Sequence, residues 1–327
     1  MTVAATVTLR YDLRAPAFAA ATRAELYAAC LEQCGWADEQ GLDGVTLAEH
    51  HGTDDGYLPA PLTLAAAIAG RTKRIGITVA AVILPLHDPI RLAEQFAVLD
   101  LVSGSRVSLI VVPGYRREEF EMAGIDRAQR WRLVEEYVGV MRKAWTGEPF
   151  EWRGRTIRVT PKPRIQPTLM VGGVTEVAAR RAARLRTGFQ PSSSSDPRLP
   201  ESYYAECARL GFDGGFVAIS NSIAGVHVSE DLERDWARIA PYALHEAQAY
   251  ASWGDPVLAG RAAPTTAEEL RRSGSYRVVT PDECVALARQ TGSILLHPLL
   301  AGMAPDLGWA SLELFAAKVL PRLRKGH

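Results

Sequence analysis

The run Gly44-Val-Thr-Leu-Ala-Glu49-His50-His51 sets a carboxylate and two imidazoles at the end of a short apolar stretch. A buried strand keeps apolar side chains along its length and delivers its last residues to the rim of the sheet, where they face a cleft. An imidazole titrates at about pH 6.5, so a histidine placed there can accept and return a proton at physiological pH. His50 and His51 are the first candidates for proton chemistry. The competing interpretation is a polar strand end with solvated histidines. His87 and His297 each follow an apolar run and are expected to reach a similar rim, where they would line a substrate pocket. Tyr115, after Val107 to Val112, offers a phenol in an equivalent position. His227 and His245 have no such context, and structural roles are expected for both.

The elements that must position these residues alternate between strand and helix. Val3 to Arg10 is a β-branched strand, and Ala24 to Gln40 repeats apolar residues at helical spacing before Gly41 closes it. Gly44 to Ala48 is the second strand. The unbroken apolar run Ile75 to Leu84 suits a strand covered on both faces and ends at Pro85. Strands are further expected at Val107 to Val112, Thr168 to Val171, Thr187 to Gln190, within Phe216 to Val228 and at Ile294 to Leu296. Helices are expected between them, one opened by a capping box at Thr280-Pro-Asp-Glu283. Phe150 to Val159 reads as a small inserted hairpin, and the polar Gly254 to Gly274 stretch as a mobile loop and candidate lid. Eight strands, each followed by a helix, predict an α/β chain forming a single (β/α)8 TIM barrel over residues 1–327. The doubly wound alternative lacks its fingerprint, since no Gly-x-Gly-x-x-Gly follows a strand.

Composition removes several classes of function. Of 327 residues, 37 are Lys or Arg and 37 are Asp or Glu, so the formal charge is +0 and no basic block marks a nucleic-acid surface. No charge-free apolar run approaches the roughly 18 residues needed to span a bilayer, and the opening residues read as a strand and not as a secretory signal. Cys30, Cys34, Cys207 and Cys284 lack metal-ligand spacing, so reduced, packed thiols and a cytoplasmic protein with no metal site are expected.

Five motifs then follow one another in order: Leu47-Ala-Glu-His-His51; Ile83-Leu-Pro85 with Asp88-Pro89; Leu99-Asp-Leu-Val-Ser-Gly-Ser-Arg106; Gly114-Tyr-Arg-Arg-Glu-Glu-Phe120; and Val171-Gly-Gly173 before an Ala- and Arg-rich helix. This succession, from about Val7 to Pro321, resembles the bacterial luciferase-like monooxygenase family of flavin-dependent oxidoreductases. The resemblance implies a TIM barrel, usually dimeric, whose strand ends hold reduced FMN supplied by a separate reductase, or a deazaflavin in a large branch. It assigns proton transfer to His50, with Glu49 and His51 fixing its ring, and a non-prolyl cis bond at Ala80-Ala81 pressed against the flavin. It also assigns the flavin phosphate to Gly114, Tyr115 and Arg116 and to Gly172, Gly173, Val174 and Thr175.

The chain departs from the family near that phosphate. Val174 stands where many relatives carry a polar residue, Val112 where luciferase has a reactive cysteine, and Pro113 where it has arginine. The implied activity is a two-component monooxygenase acting on a small organic substrate. A deazaflavin-dependent hydride-transfer enzyme and a non-catalytic flavin-binding protein are the alternatives. Apolar helix faces between Pro61 and Leu101 suggest a homodimer.

Overall fold

The computed structural model describes residues 5–191, 196–218, 223–254 and 262–324. In chain order the strands are β1 (Thr6–Tyr11), β2 (Gly44–Leu47), β3 (Gly76–Ile83), β4 (Val107–Val112), β5 (Phe150–Trp152), β6 (Arg155–Ile157), β7 (Leu169–Gly173), β8 (Gly188–Pro191), β9 (Gly225–Val228), β10 (Tyr276–Val279) and β11 (Ser293–Leu296). The principal helices are α1 (Arg23–Gln40), α2 (Pro61–Arg71), α3 (Pro89–Ser103), α4 (Arg117–Ala123), α5 (Arg130–Ala144), α6 (Glu176–Arg184), α7 (Arg198–Arg209), α8 (Leu232–Ser252), α9 (Ala267–Ser273), α10 (Pro281–Thr291) and α11 (Pro305–Leu314).

Local chemistry sets the helix ends. Thr22 and Glu25 form a capping box at the start of α1, and Thr280 and Glu283 form the expected one before α10. Asp88 accepts from the amides of Ile90 and Arg91 at the start of α3, with Pro89 in the first turn where its missing N–H is no loss. Gly104, at φ 66°, ends α3 in the left-handed conformation that glycine adopts without steric cost.

The chain divides into two compact units. Met1–Leu47, Thr53–Leu58 and Asn221–His327 make up the first, which holds the parallel order β10-β9-β11-β1-β2. Leu9 is opposite both Leu296 and Val45, and Tyr276 is opposite Gly225. Ala48–Gly52 and Pro59–Ser220 make up the second, with the parallel order β3-β4-β7-β8. Its core gathers Val79, Leu109 and Val111 from the strands with Phe96, Val134, Val138 and Met141 from α3 and α5. Burying each such side chain stabilises by roughly 1.5–3 kcal/mol. Arg106, from the Ser-Gly-Ser-Arg motif, donates to the carbonyls of Ala69, Thr72, Ile75 and Ser103, so it holds the turns before β3 and β4 together.

Three expectations need correction. The strand expected within Phe216 to Val228 consists of β9 and a separate bridge from Val217 to Phe189. Tyr276 to Val279, overlooked between Gly/Ser and Thr-Pro punctuation, forms β10 and places β9 between itself and β11. The Gly254 to Gly274 stretch is partly helical: residues 255–261 lie outside the described residues, and Thr266 caps α9 by accepting from the Glu269 amide. The expected hairpin is present as β5 and β6. All four cysteines are free and buried. Among the described residues, no helix is long and apolar enough to cross a membrane.

Candidate active site

In the second unit, three imidazoles are shared between two buried carboxylates. His50, 7% exposed, donates from Nδ1 to Glu119 Oε1 at 2.8 Å, while its Nε2 lies 3.5 Å from the Tyr115 hydroxyl. The two rings meet edge to face, with centroids 5.7 Å apart. Glu119 Oε1 also accepts the His51 amide at 3.0 Å, and Arg116 Nη1 donates to the His51 carbonyl at 2.9 Å. The pair Arg116 and Glu119 therefore clamps the backbone of His51 on both sides.

Glu49 serves the other two histidines. Its Oε1 accepts His51 Nε2 at 3.0 Å and His87 Nε2 at 2.7 Å, and its Oε2 accepts the Ile83 amide at 2.6 Å. Burial pushes the Glu49 carboxyl up, but the donors on His51, His87 and Ile83 outweigh it and hold the group at about 2. The hydrogen bond to Glu49 raises His51 above the ordinary imidazole value, against the lowering effect of its partial burial. The expectation that Glu49 and His51 orient His50 is thus corrected. Glu49 is occupied by three other donors, and Glu119 holds the His50 ring.

The peptide bond Ala80-Ala81 is cis, and the pairing of β3 with β4 slips in register between Ala80 and Val82. Both alanines are partly exposed and carry only methyl groups. Gly114, at φ 73°, turns the chain after β4 where a Cβ would lie 2.6 Å from Ile83 Cγ2. Arg116, expected on a phosphate-facing loop, is 6% exposed and turned inward onto His51 and Glu119.

Gly172 and Gly173 have packing reasons of their own. A Cβ at Gly172 would lie 2.8 Å from Val112 Cγ1, and one at Gly173 would overlap the Ala178 methyl. Val174 is partly exposed, and exposed Thr175 caps α6 by accepting from the Ala178 amide at 3.2 Å. The first-turn amides of α6 therefore begin beside this loop.

His297 belongs to the first unit, where it is buried with its side chain 2% exposed and lines a cavity with His227, Trp236 and Tyr276. Its Nε2 faces Asp12 at 3.7 Å and its Nδ1 faces Glu246 at 3.6 Å. Burial raises the Asp12 carboxyl, yet His297, Arg14 and Arg10 together hold it well below the usual range. These are the one group of potential ligands among the described residues gathered within 4.8 Å. The two carboxylates lie against different ring nitrogens, and Glu246 also meets Arg10 at 2.9 Å, so the group is a buried network of charges. Arg14 adds to it, fully buried with its guanidinium 4.8 Å from the Trp253 ring and 4.9 Å from that of Tyr57. His227, expected to be structural, is buried beside Asp235 at 4.0 Å, and burial pushes it down to about 4. His245 meets Asp55 at 2.9 Å.

Sequence reasoning singled out His50, His51, His87 and Tyr115, which the structure gathers, but it passed over Glu119. Its signal was weak: an acid three residues after Arg116 in the quoted Gly-Tyr-Arg-Arg-Glu-Glu motif.

A family model described as luciferase-like monooxygenase matches residues 12–287. The chain is 28% identical over 323 residues to 4-hydroxyprotoasukamycin monooxygenase of Streptomyces nodosus subsp. asukaensis, covering 89% of this chain and 85% of that one. It is 26% identical over 316 residues to F420-dependent glucose-6-phosphate dehydrogenase of Microbacterium testaceum, covering 88% and 91%. The oxygenase component of flavin-dependent trigonelline monooxygenase from Acinetobacter baylyi shares 27% identity over 153 residues, 45% of this chain and 42% of that one. The oxygenating constituent of 3,6-diketocamphane monooxygenase from Pseudomonas putida, solved in complex with FMN, superposes with a TM-score of 0.72 at 20% identity, covering 98% and 99%. That likeness shows the fold, which is the α/β fold of luciferase-like TIM-barrel monooxygenases.

Proposed function

The chain belongs to the luciferase-like monooxygenase family of oxidoreductases, and from that premise we propose that it is the oxygenase of a two-component system, using reduced FMN and oxygen on a small organic substrate. The observation that carries this reading is His50, a buried imidazole with one nitrogen held by Glu119 and the other turned to Tyr115. The fit to a flavin rests on Ala80-Ala81, where a register slip leaves partly exposed backbone bearing nothing larger than a methyl, against which a flat ring would lie. Gly173, Val174 and the first turn of α6 would hold the phosphate through backbone amides. Arg116, held on His51 and Glu119, acts on the histidine pair.

Reduced flavin, when bound, supplies the electrons for activating oxygen. This chain's part is to accept and return the proton at His50 Nε2, with Tyr115 facing that nitrogen. His51 and His87 lock Glu49 in its ionised form at the end of β3. A separate reductase would provide the reduced flavin, by analogy with the trigonelline and diketocamphane enzymes, which are the oxygenase component and the oxygenating constituent of their systems. Four free thiols agree with a cytoplasmic enzyme.

A deazaflavin-dependent hydride transfer is the second reading, favoured by the F420-dependent relative that covers 88% of the chain. Anaerobic titration with reduced FMN and, in parallel, reduced deazaflavin, followed by admission of oxygen, separates the two. Tight binding of FMN and rapid, saturable oxygen consumption are expected. Preference for the deazaflavin with little oxygen uptake would move the function to hydride transfer, and binding of neither would sink both readings.

Self-association belongs to the same proposal. Val98, Leu101 and Val102 on α3 are 50%, 42% and 53% exposed, and Ala66 and Ala67 on the adjoining α2 are exposed too. An apolar helix pair of this kind suits a second copy of the chain. Light scattering should return the mass of a dimer, and a monomer at micromolar concentration would count against it.

A further inference from the structure

Glu119 is 1% exposed, lies in the seven-residue helix α4 and contacts three groups through one oxygen. That oxygen receives the His51 amide at 3.0 Å and faces Arg116 Nη1 at 3.5 Å, two donors that favour a carboxylate over a carboxylic acid. The third contact, to His50 Nδ1 at 2.8 Å, then has only one consistent polarity, because an ionised carboxylate accepts and never donates. Nδ1 carries the proton. In a neutral imidazole the other nitrogen is then an acceptor, and here it is Nε2, turned toward the Tyr115 hydroxyl.

We propose that Glu119 is the positioning residue of this site, holding His50 as the Nδ1-protonated tautomer so that Nε2 works as the base, and stabilising the imidazolium formed when Nε2 takes up a proton. The inference rests on His50 handling the proton in the proposed reaction. Proton balance is simple: the proton removed from an acid at the Nε2 face gives an imidazolium whose Nδ1–H remains on Glu119, and the same Nε2 proton is later returned. Glu119 itself neither gains nor loses one. Glu49 cannot take this role, since its two oxygens are occupied by His51, His87 and Ile83.

A carboxylate that served only packing would leave the pH profile and turnover unmoved when its charge is removed, and that difference can be measured. In nitrogen-15 spectra of histidine-labelled protein, the His50 signals, identified by their loss in His50→Ala, should show a protonated Nδ1 and an acceptor-type Nε2. Glu119→Gln keeps an oxygen for Nδ1 but removes the charge that favours the imidazolium, so the His50 titration should move to lower pH. The acidic limb of the rate profile should move with it. Turnover should fall at least tenfold while flavin affinity changes less than threefold, and Glu119→Asp should recover part of the loss. In the His50→Ala background, Glu119→Gln should cost nothing further.

A neutral His50 protonated at Nε2, or a Glu119→Gln titration that coincides with the wild type, would overturn the inference. If that variant fails to fold, the wild-type spectrum and Glu119→Asp still decide the matter. The spectra need no turnover. Failure of flavin binding would therefore remove the functional reading while leaving the tautomer result to stand or fall by itself.

Discussion

Replacing His50 by alanine is expected to lower steady-state turnover by about two to four orders of magnitude, the range for removing a general acid or base. That corresponds to roughly 2.7–5.5 kcal/mol of lost transition-state stabilisation. The measurement is kcat with the cofactor that the binding titration selects, alongside the dissociation constant for that cofactor. Binding should change little, because the ring's polar contacts run to Glu119 and Tyr115 and the side chain is nearly enclosed. The loss should exceed that of Glu119→Gln, since one change removes the base and the other removes only the charge behind it. Unchanged turnover in His50→Ala would leave the protein a flavin binder with its chemistry elsewhere, and equal losses in cofactor affinity and turnover would make His50 a binding residue.

The sequence carried the position of His50 because a short apolar run delivers its last residues to a sheet edge, whereas the cis bond at Ala80-Ala81 was implied by the family resemblance alone. Glu119 was not legible in the same way. It is 69 residues from His50, and only the turn at Gly114 and the short helix α4 bring its carboxylate back. Likewise, nothing in the spacing near His297 announces Asp12 or Glu246, which arrive from β1 and α8. The sequence placed His297 at a rim because it follows an apolar strand, and long-range packing sets its ring between Asp12 and Glu246. β10 was missed for a different reason. Four residues flanked by glycine, serine and proline carry too little alternation to compete with a turn, and only pairing with β9 makes them a strand.

Glu49→Gln should have the largest effect on stability, and its dependence on pH distinguishes the carboxylate from any mere spacer. In the wild type, the folded-state value of Glu49 lies at about 2, below its ordinary 4.5. A carboxyl depressed on folding stabilises the native state above its unfolded value, and that contribution is lost as pH falls through the folded one. For a nearly fully buried group this is on the order of 3 kcal/mol. His51 is raised, so its contribution is complete below the ordinary imidazole value and fades as pH climbs through the raised one. Both contributions coexist near pH 5. In Glu49→Gln the amide oxygen can accept the Ile83 N–H, but its NH2 group then meets Nε2 of His51 and of His87 as a donor. Those contacts survive only if both rings present Nε2 unprotonated. Lowering the pH from 8 to 5 therefore strengthens the wild-type cluster and weakens the variant's. The gap between their urea-unfolding free energies should widen to about 3 kcal/mol near pH 5 and narrow again toward pH 3 as Glu49 begins to protonate. Unfolding curves for the two proteins that differ by a constant amount from pH 8 to pH 3 would show that the charge on Glu49 does not hold this site together.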